Sequence, residues 1–194
     1  MNRNAGRSAA RPPGAVRIIG GRWRGTKLPV ADAAGLRPTS DRTRETLFNW
    51  LQPVLPGARA LDLFAGSGAL GLEALSRGAR EALLVERDAR LCESLRATAQ
   101  RLPGGEAATV VQADAPAFLR APLHGRFDLV FVDPPFAADL WDEVLARLDD
   151  WVGDDARLYV ESPLQRSIDP GAGWTLHREG GSRETRHALY RRAG

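Results

Sequence analysis

The sequence predicts an α/β fold in which a mostly parallel seven-stranded sheet carries helices on both faces, ends in an antiparallel C-terminal edge, and is preceded by a short N-terminal hairpin or arm. Three observations lead there. From residue 58 onward, short apolar runs alternate with helix-patterned stretches, the pattern of parallel strands joined by crossover helices. The last two apolar runs, 174–178 and 186–190, follow one another without a helix between them, which makes an antiparallel pair. Residues 16–30 alternate loosely and carry Gly20, Gly21, Gly25 and Pro29, the punctuation of an extended arm.

Residues 1–15 are Arg, Ala, Gly and Pro without periodicity and predict a disordered basic tail. Residues 16–56 form the arm and a first helix. Pro38-Thr39-Ser40-Asp41 is a helix start, with Ser40 or Asp41 as N-cap, and Leu47, Phe48, Trp50 and Leu51 give an apolar face that stops near Pro53. Residues 57–194 are the main domain. Its first five strands are expected at 58–64, 82–85, 109–112, 127–132 and 157–161, and its helices at about 67–77, 88–101, 117–120 and 139–151.

A chain of 194 residues buries a sizeable core without staples, and its single cysteine, Cys92, rules out an internal disulfide. No apolar run approaches the length of a membrane span. The three histidines, His124, His177 and His187, are scattered without ligand spacing, so no metal is expected. Net charge is +3, but residues 1–44 hold ten basic and two acidic side chains, a local +8 against −5 for the remainder. Such asymmetry points to a polyanion met by the N-terminal part, against the alternative of a solvated basic tail. Arg22, Arg24, Arg37, Arg42 and Arg44 are the candidates for that contact, with Trp23 as a stacking residue or a packed one.

Two motifs carry the chemistry. The run Leu61-Asp62-Leu63-Phe64-Ala65-Gly66-Ser67-Gly68-Ala69-Leu70-Gly71 is a strand entering a glycine turn and then a helix. Glu86 ends the next strand, twenty residues after Gly66, where a carboxylate can accept from both hydroxyls of a ribose. Gly66, Gly68 and Gly71 also fit the dinucleotide fingerprint, so the loop alone suits a nicotinamide cofactor or S-adenosylmethionine equally. Asp62 favours the second: an acid before the turn repels a pyrophosphate and attracts a methionine ammonium. Asp114 follows the third strand, where an adenine would be read.

The second motif, Asp133-Pro134-Pro135-Phe136, directly follows the apolar run 129–132. Two prolines fix the backbone and remove two N–H donors, which leaves acceptors to face a ligand. An exocyclic amino group, donating two hydrogen bonds, suits them. Held by the Asp133 carboxylate and the Pro134 carbonyl, its nitrogen becomes pyramidal and its lone pair is aimed for in-line transfer. Phe136 can stack on a base turned out of its helix.

Together these residues resemble the ordered motifs of the class I amino-methyltransferases. The stretches Arg17-Ile18-Ile19-Gly20-Gly21-Arg22-Trp23-Arg24-Gly25 and Leu36-Arg37-Pro38-Thr39-Ser40-Asp41-Arg42-Thr43-Arg44-Glu45-Thr46-Leu47-Phe48 narrow the resemblance to the bacterial 16S ribosomal RNA (guanine-N2)-methyltransferase family, from about residue 16 to 190. The resemblance implies a Rossmann-like fold and S-adenosylmethionine as methyl donor. It also implies a guanine of 16S rRNA as acceptor, within a small ribosomal subunit or an assembly intermediate. The implied donor-binding set is Asp62, Phe64, Ala65, Gly66, Ser67, Gly68, Glu86, Arg87, Asp114 and Ala115, with Thr39 bordering it; Asp133, Pro134 and Phe136 form the catalytic set. An adenine-N6 or cytosine-N4 methyltransferase shares the turn chemistry and remains an alternative. A cytoplasmic monomer is expected. Gly180 to Thr185 departs from the Lys-rich segment typical of the family.

Overall fold

A computed structural model describes residues 15–29 and 40–192. The expected tail lies outside the described residues apart from Ala15, which opens the first strand, and so do Arg37 and Thr39. Strands β1 (Ala15–Arg17) and β2 (Lys27–Pro29) form the expected hairpin, joined by a short 3-10 turn at Gly21–Trp23. Helix α1 (Asp41–Leu51) begins at Ser40, whose side chain accepts from the Thr43 amide at 3.1 Å and satisfies one orphan donor.

The main sheet is built from β3 (Arg59–Asp62), β4 (Glu81–Glu86), β5 (Ala108–Gln112), β6 (Phe127–Val132), β7 (Val152–Pro163), β8 (Trp174–Gly181) and β9 (Thr185–Arg192). Its order is β5-β4-β3-β6-β7-β9-β8, parallel from β5 through β7. The last strand, β9, inserts antiparallel between β7 and β8, so β8 forms the edge. This is the Rossmann-like class I methyltransferase architecture that the resemblance implied. Strand order reverses at the β3–β6 pair: β4 and β5 lie on one side of β3, β6 and β7 on the other. Ligands in open α/β sheets bind at the carboxyl ends of the strands flanking such a reversal.

Two apolar clusters cover the two faces. On one, α1, α2 (Gly71–Ser76), α3 (Ala89–Arg101) and the hairpin pack over Ala60, Leu84, Leu129, Phe131 and Tyr159. On the other, α4 (Ala115–Phe118) and α5 (Trp141–Leu145) pack with Trp151 over Leu61, Val85, Val130 and Leu158. Alternate residues of each strand therefore feed opposite faces, as the pleat requires.

Two helices differ from expectation. The helix after β3 starts at Gly71, not at 67, because Gly66 (φ 52°) and Gly68 (φ 80°) hold left-handed backbone that no right-handed helix can include. The expected helix over 139–151 is two pieces, α5 and a 3-10 turn at Asp149–Trp151, and Asp139 before α5 is itself left-handed at φ 46°.

A buried ionic cluster ties the hairpin to this frame. The carboxylate of Glu73 on α2 is fully buried and accepts from the Ile19 and Gly20 amides, both at 2.7 Å, and from Arg77 Nε at 2.7 Å. Arg44 Nη1 lies 3.7 Å from it, while Arg44 Nη2 donates to the Arg17 carbonyl at 2.8 Å and to Asp41 at 2.6 Å. At the hairpin tip Gly21 is at φ 74°, and a Cβ there would stand 1.9 Å from the Ser76 carbonyl oxygen, so only glycine permits the approach to α2.

Candidate functional site

The carboxyl ends of β3, β4, β5 and β6 bring together the residues the two motifs nominated. The glycine loop is stitched across the sheet: the Leu63 amide donates to the Phe131 carbonyl of β6 at 3.2 Å, and the Ala65 amide to the Val85 carbonyl of β4 at 2.9 Å. The Gly66 amide donates to Glu86 Oε2 at 3.0 Å, and Asp88 N to Glu86 Oε1 at 2.8 Å. Glu86 is thereby fixed in orientation, half-buried at the edge of the loop. Gly68 closes the turn with a 2.6 Å bond to the Ala65 carbonyl; a Cβ on it would meet Leu95 at 2.6 Å and Leu72 at 2.8 Å. The loop is a backbone cradle with no room for a side chain on its packed side.

Asp62 closes the floor of this cradle. It is 2% exposed and accepts from the Gly71 amide at 3.1 Å and the Phe64 amide at 3.4 Å. Burial, with a smaller contribution from the charge of Glu86, pushes its carboxyl up to about 7, which the two backbone donors only partly offset. Arg87 and Asp114 are exposed, Ser67 and Phe64 half-buried, and Ala65, Gly66, Gly68 and Ala115 buried, all around the ends of β3, β4 and β5.

The Asp133 turn stands across the switch point from this loop. Asp62 pairs in register with Phe131, so Asp133 leaves the neighbouring strand two residues further on. Pro134 is buried, Asp133 and Phe136 half-buried. Phe136 leans on Trp141 with ring centroids 5.8 Å apart, and Trp141 is anchored by its indole N–H donating to the Glu161 carbonyl at 2.8 Å. The turn is held rigidly from behind, and Phe136 is not swallowed by the core.

Two RNA-contact candidates are corrected. Arg44 is 0% exposed, consumed by the cluster around Glu73, and cannot reach a phosphate. Trp23 is 4% exposed, its amide bonded to Ser76 Oγ at 2.9 Å and its indole N–H to the Pro103 carbonyl at 3.0 Å; it is a packed arm residue and not a stacking platform. Arg22, Arg24 and Arg42 are exposed. Arg22 and Arg24 line an open groove with Lys27 and Arg101, and the charged residues of that groove are all positive. Lys27 belongs to the basic arm itself, whereas Arg101 escapes a reading of the sequence because only the fold brings the arm beside the C-terminal end of α3. That end is remote from the cradle: α3 starts just after Glu86 and runs 13 residues, roughly 20 Å. The basic groove and the glycine cradle therefore lie at opposite ends of α3.

Cys92 is buried and its thiol donates to the Glu86 carbonyl at 3.2 Å, which leaves it no part in chemistry at the Asp133 turn. Among the described residues no cluster of three metal-binding side chains occurs, and no helix is long and apolar enough to cross a membrane.

Comparison with known proteins places the chain. The family described as conserved hypothetical protein 95 matches residues 16–191. The ribosomal RNA small subunit methyltransferase D of Escherichia coli K12 is 50% identical over 182 residues, covering 92% of this chain and 91% of that protein. The protein of the same name from Haemophilus influenzae is 43% identical over 170 residues, covering 86% and 88%. The solved structure of yhhF from Escherichia coli superposes with a TM-score of 0.81 at 48% identity, over 93% of this chain and 99% of that one. With the glycine cradle, the Asp133 turn and the basic hairpin all inside the matched span, the chain belongs to the conserved hypothetical protein 95 family, alongside the ribosomal RNA small subunit methyltransferase D proteins it resembles.

Proposed function

We propose that this protein transfers a methyl group from S-adenosylmethionine to the exocyclic N2 of a guanine in small-subunit (16S) ribosomal RNA, acting in the cytoplasm as a monomer on a small subunit or an assembly intermediate. The observation that carries the reading is the Asp133-Pro134-Pro135-Phe136 turn facing the glycine cradle across the β3–β6 switch point, in a chain half identical to a protein named for methylating this RNA.

The residues of the cradle fit the donor. Asp62 is an acid whose ionisation is suppressed by burial, and an α-ammonium beside it would favour the charged form. Glu86, pinned by two amides, still has lone pairs for ribose hydroxyls. Two acids at this site suit a cationic ligand and disfavour a pyrophosphate. When bound, the donor supplies a methyl group activated by a sulfonium. The chain itself then contributes position. The Asp133 carboxylate and the Pro134 carbonyl accept hydrogen bonds from the two amino N–H groups, Phe136 stacks on the base, and the Asp133 carboxylate is the base nearest the one proton that leaves the nitrogen as the methyl arrives. The exposed groove of Arg22, Arg24, Lys27 and Arg101 holds phosphates at a distance from the reacting base.

The experiment that tests the reading is mapping. Small subunits from cells lacking this gene are incubated with radiolabelled donor, and the modified nucleoside is identified by mass spectrometry. N2-methylguanosine in 16S rRNA is expected; label in N6-methyladenosine or N4-methylcytidine would replace the reading with its alternative.

Two further outcomes follow from charges. Because the Asp62 carboxyl is raised to about 7 in the folded protein, the unfolded chain gives up this proton first, and the stability of the free protein falls as pH rises between the ordinary carboxylate value and about 7. A cation beside Asp62 draws the proton off. Donor affinity should therefore weaken as pH drops from about 8 to about 6, with proton release visible by calorimetry in buffers of different ionisation enthalpy. Asp62→Asn should abolish that release; an unchanged release would remove Asp62 from the ammonium site. Charge reversal at Arg22 and Arg24 should weaken RNA binding and flatten its logarithmic salt dependence by roughly 0.7–0.9 for each phosphate no longer neutralised. An unaltered slope would take the hairpin out of the RNA interface.

A further inference from the structure

A second carboxylate stands beside the Asp133 turn. Glu161 follows Val160, the register partner of Val132 across the parallel β6–β7 pair, as Asp133 follows Val132. Phe131 and Tyr159, one pleat earlier, meet edge to face with centroids 6.2 Å apart, so Asp133 and Glu161 leave adjacent strands at one level on one face. Glu161 is 7% exposed, and Tyr159 Oη donates to its Oε2 at 3.0 Å. The Tyr159 hydroxyl is held well above its ordinary pKa by burial and then by the charges of Glu161 and Asp133, so both carboxylates bear on the same small volume.

A carboxylate accepts hydrogen bonds from the edge of a base and donates none. The bases differ at this point. Beside its exocyclic amine guanine carries N1–H, a donor. Adenine carries N1 and cytosine N3 beside theirs, both acceptors. A carboxylate next to an amine clamp accepts from guanine and opposes a lone pair of either other base.

The geometry points to Glu161 as a specificity residue that accepts the N1–H of the target guanine while the Asp133 turn holds its N2 amine. Tyr159 is its positioning residue. This rests on the guanine-N2 reading above. It extends the acceptor set from the two groups of the turn to three, in the order a guanine edge requires. Sites built to hydrogen-bond a substrate N–H reject analogues that lack it far more strongly than apolar pockets reject a missing methylene, because the buried acceptor is left unpaired.

The test uses reconstituted small subunits carrying either guanine or 2-aminopurine at the mapped target. 2-Aminopurine keeps the 2-amino group but presents a lone pair at N1. The unaltered protein should methylate guanine at least about 100-fold faster, as kcat/KM. Glu161→Gln, whose amide can donate to that lone pair, should lose most of its activity on guanine and narrow the preference to within about tenfold, with donor affinity and melting temperature held. Tyr159→Phe should lower activity on guanine while keeping the preference. Equal rates on the two bases by the unaltered protein would overturn the role of Glu161 and leave the guanine-N2 reading standing; this comparison needs no variant to fold. A Glu161→Gln protein that folds, binds donor and retains the full preference would also overturn it. Failure to methylate either base at N2 would sink the underlying reading and this inference with it.

Discussion

Asp133→Ala should reduce methylation of small subunits by at least about 1,000-fold while leaving donor affinity within a few fold. The asymmetry comes from where the residue stands. Asp133 is placed at the end of β6, whereas the cradle is built from the β3 loop and Glu86 of β4, stitched by backbone bonds that Asp133 does not make. Removing the side chain leaves the amine with one acceptor, so its nitrogen stays conjugated with the ring and its lone pair unaimed. Loss of one positioned polar group at a reacting centre typically costs about 100- to 1,000-fold, and here orientation of the nucleophile is lost as well. Asp133→Asn keeps an acceptor oxygen but turns an amide N–H₂ toward the amine, and should fall between the two. Isothermal titration with S-adenosylhomocysteine and single-turnover methylation separate the two quantities. A variant that lost donor binding along with activity would make Asp133 a part of the cradle and not of the clamp.

The largest effect on stability belongs to Glu73. Glu73→Ala strips acceptors from the Ile19 and Gly20 amides and from Arg77, and leaves the fully buried Arg44 facing a void. Breaking a buried ion pair from one side costs about 3–5 kcal/mol, since the surviving charge stays desolvated. For a chain of this size that lowers the melting temperature by roughly 10 °C. Arg44→Met should cost much less, because Glu73 keeps Arg77 and two backbone donors. If the two variants melted alike, the cluster would be worth no more than the packing of its stems. The same cluster bears on function, because it is what clamps the hairpin against α2. Glu73→Ala should therefore weaken RNA binding in excess of its effect on donor binding.

The strand and helix order is legible in the sequence because the apolar runs are short, regularly spaced and separated by turn residues. The cradle and the Asp133 turn are legible because glycine and proline constrain the backbone locally, without help from the rest of the chain. Arg44 shows where that stops. Composition groups it with the exposed arginines, yet it sits three, four and seven residues before Leu47, Phe48 and Leu51, on the buried stripe of α1. Helical spacing alone would place it inside. Trp23 gives no such warning: its partners Ser76 and Pro103 lie 53 and 80 residues away in sequence, and only the tertiary fold brings them to it. Glu161 reads in the sequence merely as a strand end. An acid continuing the buried run Leu158-Tyr159-Val160 is itself a signal, because a carboxylate is seldom buried without partners to hold it. The expected helix over 139–151 starts late because Asp139 holds left-handed backbone as the cap of the 3-10 turn Phe136–Ala138.

The central claim is that the amine clamp and the activated methyl face each other across the β3–β6 switch point. A crystal structure with S-adenosylhomocysteine and guanosine tests it most directly. The sulfur is expected in the glycine loop with Asp62 near the ammonium, and the guanine N2 between the sulfur and the Asp133–Pro134 acceptors, with room to bring nitrogen and methyl to about 3–3.5 Å. A sulfur pointing away from β6, or Asp133 shut off from the guanine, would contradict it.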